Sequence, residues 1–329
     1  MYLQSAHRGV DWALSLLDER GAFRGTGCEV DCYRKAPRTL ALSGRVVEAQ
    51  RVADYLRRTF ASPTGDFNQP GESGSRHDNT YRNAWLCWGM HDLGAYDLAV
   101  ATARHLARIQ NPETGGMPMS PETPDSDQIV SWGTTSLCIA ALVANGRLYD
   151  ATCAGRAMSA ILDAQPEPDS AFYLCTDWSG ALITDFAPEV APLREIRFGA
   201  EINHYWSLGA GMAALVMLHL ATGDEQWLTA ARKVFDLAAH GRPDTFHATS
   251  SPKIIWGCTQ LYAATREDVY LQAAIEIADD FVERQTPEGT WLGGAAGSYA
   301  SLDEQPVPMS LDLAFDRSQW MLGLARFVD

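Results

Sequence analysis

Four residues in this chain are candidates for proton transfer by side-chain type: Asp78 in "RHDNTYRNAW", Asp127 in "PDSDQIVSW", His204 and His247. A carboxyl or imidazole whose pKa is moved by burial can protonate an alkene, an allylic oxygen or a glycosidic oxygen, while a second such group takes a proton away. Groups suited to holding a substrate are Arg38, His77, Arg82, Trp132, Glu201, Tyr205, Lys253, Trp256, Asp316, Arg317 and Trp320, with Arg76, Asp125 and Asp312 beside them. Tryptophan faces stabilise a carbocation or stack on a sugar ring, so this set suits either chemistry. Each residue also has a plainer use. Asp78 and Asp127 sit where helix N-caps would, a role worth ~1 kcal/mol. Arg82 and Arg317 can pair with such acids, and the two histidines can be hydrogen-bonded core residues. Together they exceed what capping requires, provided that the fold brings them to one pocket.

A repeat provides the means. The stretch "AWLCWGMHDLGAYDLAVATARHLARIQNPETGGM" reads as an apolar helix, a turn at Gly94, an amphipathic helix and a Gly turn after Gln110. The same order recurs in "TTSLCIAALVANGRLYDATCAGRAMSAILDAQPEPDSAF", "AGMAALVMLHLATGDEQWLTAARKVFDLAAHGRPDTF" and "IIWGCTQLYAATREDVYLQAAIEIADDFVERQTPEGTW", and more weakly in "TLALSGRVVEAQRVADYLRRTFASPTGDF". In each copy the first helix is apolar nearly all round and must be buried, while the second carries charge on one face. The repeat is therefore an inner helix followed by an outer one. "LDLAFDRSQWMLGLARFVD" reads as an inner helix without an outer partner, and "YLQSAHRGVDWALSLLDERGAF" as an outer helix without an inner one. Joined, they complete a sixth hairpin and predict an all-α, closed (α/α)6 toroid over residues 1–329 as one domain. Parallel inner helices would bring their N-terminal ends, and the residues named above, to one mouth. The longer connection at 172–203, which carries Cys175, Asp177 and Asp185, reads as a lid over that mouth.

After each outer helix, a Gly ends the helix and an aromatic residue (Phe23, Phe67, Phe172, Phe246 or Trp291) folds back as an apolar plug, with Gln available to satisfy freed helix-end groups. In "QTPEGTW", Gln285, Gly289 and Trp291 resemble the QW motif of squalene-cyclase and terpenoid-cyclase barrels. "QNPETGGM" resembles the helix-ending turn of those proteins and of protein prenyltransferases. More distantly, a single barrel of this size with a polar, Trp-rich mouth resembles six-hairpin glycosidases, unsaturated glucuronyl hydrolases and sugar 2-epimerases.

The first resemblance implies a cyclase, isomerase or lyase using acid/base chemistry on an isoprenoid-like or other hydrophobic metabolite. A diphosphate substrate is not expected. The D-x-D-D acid motif is absent, its nearest echo being Asp125-Ser126-Asp127-Gln128, and no D-D-x-x-D motif is present. The second implies a carbohydrate-active enzyme. His204 and His247 would be the proton-transfer pair for epimerisation, and Asp78 and Asp127 the carboxylates for hydrolysis. A non-catalytic binding protein is the third reading, since one fold hosts many functions.

Composition narrows the partners. The 329 residues are 46% hydrophobic and 20% charged with a formal net charge of -15, and no Lys/Arg cluster exceeds that in "YLRRTF", which argues against a nucleic-acid partner. No run approaches the ~18 apolar residues of a membrane span, and the N-terminal stretch lacks a signal-peptide pattern, so a cytoplasmic protein is expected. Seven scattered cysteines do not form a secreted disulfide framework. Cys28 and Cys32 lack the further ligands of a zinc site, so neither metal nor other cofactor is expected. A small-molecule substrate is the expected partner, and homo-oligomerisation stays open.

Overall fold

The computed structural model describes residues 1–27, 29–68, 79–200, 203–241, 244–293 and 299–328. The inner helices are α2 (Ala36–Leu42), α4 (Asn79–Leu93), α6 (Trp132–Ala144), α9 (Trp206–Thr222), α12 (Pro252–Thr265) and α14 (Val307–Val328). Their outer partners are α3 (Val46–Thr59), α5 (Tyr96–Ile109), α7 (Leu148–Asp163), α10 (Glu225–His240), α13 (Asp268–Glu283) and α1 (Tyr2–Ser15). Two four-residue helices, α8 (Ala191–Arg194) and α11 (Asp244–His247), lie in connections. The (α/α)6 toroid expected from the repeats is what the chain forms.

Burial follows the two sequence patterns. In α6 almost every residue is buried and in α9 an unbroken run from Ser207 to Val216 is, whereas α10 and α5 bury one stripe. Gly223, with φ 73°, closes α9 in the left-handed conformation. Asp224 then opens α10 by accepting the Gln226 amide at 3.0 Å.

The ring closes through the predicted split hairpin. Each inner helix packs on the next in the order α2, α4, α6, α9, α12, α14, and α14 returns to α2; α14 also packs along α1. The helix-ending Gln reaches across to the next outer helix. Gln285 Nε2 donates to Gly289 O at 2.6 Å and to Ser5 O of α1 at 2.9 Å, and Ser5 Oγ donates back to Gln285 Oε1 at 2.8 Å. Gln110 does the same between Gly115 O (2.8 Å) and Asp150 O of α7 (2.9 Å). At Gly289, φ is +107° and a Cβ would lie 2.7 Å from Arg8 O, so both backbone conformation and space demand glycine. The five aromatic plugs are all buried.

Segment 172–203 is anchored by two short ladders. β1 (Ile129–Ser131) pairs antiparallel with β3 (Cys175–Asp177), and β2 (Ala171–Tyr173) with β4 (Glu195–Arg197). Among the described residues no helix is long and apolar enough to cross a membrane.

Candidate active site at the barrel mouth

The N-terminal ends of the inner helices enclose a cavity of about 620 Å³. Lys35 stands at the start of α2, Tyr81 in the first turn of α4, and Ser131 and Thr134 at the start of α6. His204 and Trp206 open α9, Lys253 lies in the first turn of α12, and Asp312, Asp316 and Arg317 come from the first half of α14. Met119, Glu189, Leu193 and Arg194 close the side beneath the two ladders.

A charged cluster occupies the cavity wall. Lys35 Nζ lies 2.8 Å from Asp312 Oδ2 and 2.9 Å from Asp316 Oδ1; Lys253 Nζ lies 2.8 Å from that same Asp316 oxygen. Arg34 Nη2 adds a 2.9 Å contact to Asp312 Oδ1. Burial, the largest influence on Asp316, pushes its carboxyl up, but Lys253 and Lys35 outweigh it and hold it below the usual carboxylate range. For Asp312, burial is likewise outweighed, by Arg34 and Lys35, and the carboxyl is held far below that range. Burial pushes the Tyr81 phenol up to about 12 against the pull of Lys35 and Arg34, so it stays a hydrogen-bond donor at neutral pH. Burial pulls the Arg317 guanidinium down to about 10, opposed by Asp316 and Asp312, so it stays charged. Its Nη2 donates to Thr249 O at 3.0 Å, and its plane lies 4.8 Å from the Phe281 ring and 5.9 Å from the Trp291 ring.

Beneath the cluster, Trp85, Trp88, Trp256 and Trp320 fill the barrel. Trp256 and Trp320 stack at 4.7 Å, Trp88 lies 5.1 Å from Trp256, and Trp85 lies 5.8 Å from Trp88 and 5.9 Å from Trp320. Lys35 and Lys253 sit over Trp85 at 5.8 and 5.9 Å. On the other side of this plug, Arg38 stacks on Trp88 at 3.7 Å and pairs with Asp92 at 3.1 Å.

Of the residues expected at the site, His204, Lys253, Asp316 and Arg317 line the cavity, as does Asp312. Others are placed elsewhere. Trp132 is fully buried between α6 and α9, its Nε1 donating to Ser207 O at 2.8 Å and its ring filling the space over Gly211. Tyr205 is buried and accepts from Asn203 Nδ2 at 2.9 Å. Trp256, Trp320 and Arg38 belong to the plug and its far side. Arg82 is buried against Asp31, Nη1 to Oδ2 3.4 Å. Asp127 is exposed in a short 3-10 turn with Asp125, outside the cavity lining. His247 faces α13, with Nε2 3.4 Å from Glu276 and Nδ1 3.7 Å from Asp280, so it is not brought to His204. Asp78, His77, Arg76 and Glu201 lie outside the described residues.

Sequence reasoning missed Lys35, Arg34, Tyr81, Trp206 and Arg194. Lys35 had a local signal, standing just before the Pro of "RKAPR" where a helix start is expected.

No protein-family model matches the sequence, and no curated protein matches it significantly. Solved structures do match over nearly the whole chain. They are carbohydrate enzymes. A D-mannose isomerase superposes with a TM-score of 0.75 at 11% identity, covering 99% of this chain and 98% of that one. The GH76 α-mannanase of Bacteroides thetaiotaomicron gives 0.70 at 10% identity, with 99% and 96% covered. A sugar epimerase from a ruminal bacterium gives 0.65 at 14% identity over 100% of both chains. These likenesses establish the fold, and they correct the expectation of a terpenoid-cyclase-like enzyme acting on an isoprenoid. The cavity itself gives the physical reason. A hydrocarbon substrate would strip water from Lys35, Lys253 and Asp316 and return no hydrogen bond, a desolvation cost of several kcal/mol.

Proposed function

We propose that this chain is a carbohydrate-active enzyme that interconverts sugars by proton transfer, as an isomerase or epimerase, within the mouth cavity. The main support is the pair of ammonium groups, Lys35 and Lys253, fixed on one Asp316 oxygen in an enclosed cavity walled by Tyr81 and Trp206. Tyr81 and Trp206 rings, 5.5 Å apart, offer faces for a sugar ring, and the charged groups offer partners for its hydroxyls. Proton abstraction beside a carbonyl makes an enediolate. Preorganised ammonium groups and the Tyr81 hydroxyl would stabilise its developing negative charge. His204 is the lining group suited to carry the proton. The solved structures of D-mannose isomerase and sugar epimerase, which share this fold, agree with that chemistry.

Hydrolysis fits the described residues less well. A glycosidase needs one carboxyl held protonated to donate to the leaving oxygen, whereas Asp312 and Asp316 are both held ionised by their cations and Glu189, the other lining carboxylate among the described residues, stands exposed at the rim.

The test is proton NMR of the purified protein in D2O with a panel of aldoses, ketoses and uronates. Deuterium entering at the carbon beside the carbonyl, with formation of the isomer, is the expected result. Release of new reducing ends from mannan or other oligosaccharides without such exchange would overturn it in favour of hydrolysis.

A further inference from the structure

Arg194, at the junction of α8 and β4, is only 6% exposed, yet among the described residues no carboxylate pairs with it. Its guanidinium has two sulfur acceptors: Nη1 donates to Met119 Sδ and, at 3.9 Å, contacts Cys175 Sγ. Sulfur is a weak acceptor, so among the described residues these two contacts leave most of the guanidinium's hydrogen-bonding capacity unused by the protein. The backbone beneath is fixed. Arg194 O accepts the Leu174 amide at 2.9 Å, and Glu195 begins the strand paired with β2. The backbone that carries this side chain on the cavity wall is thus anchored.

The surrounding charge has the same sign. Arg34, Lys35, Arg82 and Lys253 face three carboxylates, Asp31, Asp312 and Asp316, and Arg317 lines the cavity beside them, which leaves cation in excess; Glu189 at the rim is exposed to solvent. This excess runs against a whole-chain charge of -15. A local field of opposite sign to the whole protein selects ligands at the cavity and not at the surface.

We infer that the substrate is an acidic sugar whose carboxylate or phosphate docks on Arg194. The planar fork of a guanidinium matches the paired oxygens of either group, which would give Arg194 the charge-assisted hydrogen bonds that its sulfur contacts do not. This assignment names the substrate class of the carbohydrate reading above and rests on it.

Calorimetric binding separates the two. The ligands are matched pairs: D-glucuronate against D-glucose, and D-mannose 6-phosphate against D-mannose. The acidic member of at least one pair is expected to bind about tenfold tighter or more, and the pair that shows it distinguishes carboxylate from phosphate. Arg194→Met is expected to abolish that preference by weakening the acidic member of the pair far more than the neutral one, with thermal melting as the check on folding. Arg194→Lys keeps the charge, loses the fork, and is expected to lose several-fold of the preference. Equal affinity within both pairs, or an undiminished preference in the folded Met or Lys variant, overturns the inference. Binding is read without turnover, so an acidic-sugar preference without proton exchange would sink the isomerase reading alone. Exchange on neutral sugars without any preference would sink the Arg194 assignment alone.

Discussion

Lys35 Nζ and Lys253 Nζ reach the same oxygen of Asp316, at 2.9 and 2.8 Å, from the two inner helices that flank α14. One carboxylate therefore joins three helices at the place where the ring closes. Asp316→Asn would leave two buried ammonium groups with only Asp312 and its share of Arg34 to balance them. A loss of about 3–5 kcal/mol is expected, read from urea unfolding. Asp312→Asn, at a side chain 30% exposed, is expected to cost less.

Acid dependence follows from the same cluster. Both carboxyls have folded pKa values depressed below their unfolded value, because their cations outweigh burial. Their contribution is complete above the unfolded carboxylate pKa of about 3.9 and is lost as pH falls through the folded value below it. Unfolding free energies of wild type and Asp312→Asn should therefore differ by a constant amount above about pH 5 and converge below about pH 4. A gap that widened on acidification would contradict the ion pairing.

The proposed catalytic roles separate by location. His204→Ala is expected to reduce turnover by about two orders of magnitude or more, with little change in melting temperature. Asp127→Asn and His247→Ala should leave turnover near wild type, since one is exposed on a turn and the other faces Glu276 and Asp280. Steady-state kinetics on the sugar found to exchange would decide it, and a large loss in either of the last two would reverse the assignment.

Two glycines test the ring's staples. Gly289→Ala must place a Cβ 2.7 Å from Arg8 O at φ +107°, whereas Gly94→Ala, at φ +84°, meets nothing within 4 Å. Gly94→Ala should cost about 1 kcal/mol for the left-handed backbone alone. Gly289→Ala should cost clearly more, visible as a larger drop in unfolding midpoint.

The architecture was legible because each repeat joins a helix that cannot tolerate water to one that needs it, and because Gln285, Gly289 and Trp291 mark the end of that unit. The ring was legible from its split hairpin. Which end of the barrel holds the cavity was also readable, and it yields His204, Lys253, Asp316 and Arg317 among the lining residues. Depth was not. The third residue of α2, Arg38, already lies beside Gly89 near the end of α4, because α2 is only seven residues long. Trp256 and Trp320 sit below the first turns and become plug. Direction around the helix was hidden as well, since Trp132 turns toward Gly211 of α9 and away from the axis. Arg194 lies in a connection whose path depends on two ladders that no short-range pattern encodes.

The four-tryptophan plug makes the barrel a blind well. On the proposed isomerase reading, substrate and product would share one doorway, so a second molecule could not load until the first had left. Leftover product should compete with incoming substrate for the same wall of charges, and turnover at high conversion should be throttled by departure. A ring that looks like a tube in outline works, in traffic terms, as a cup.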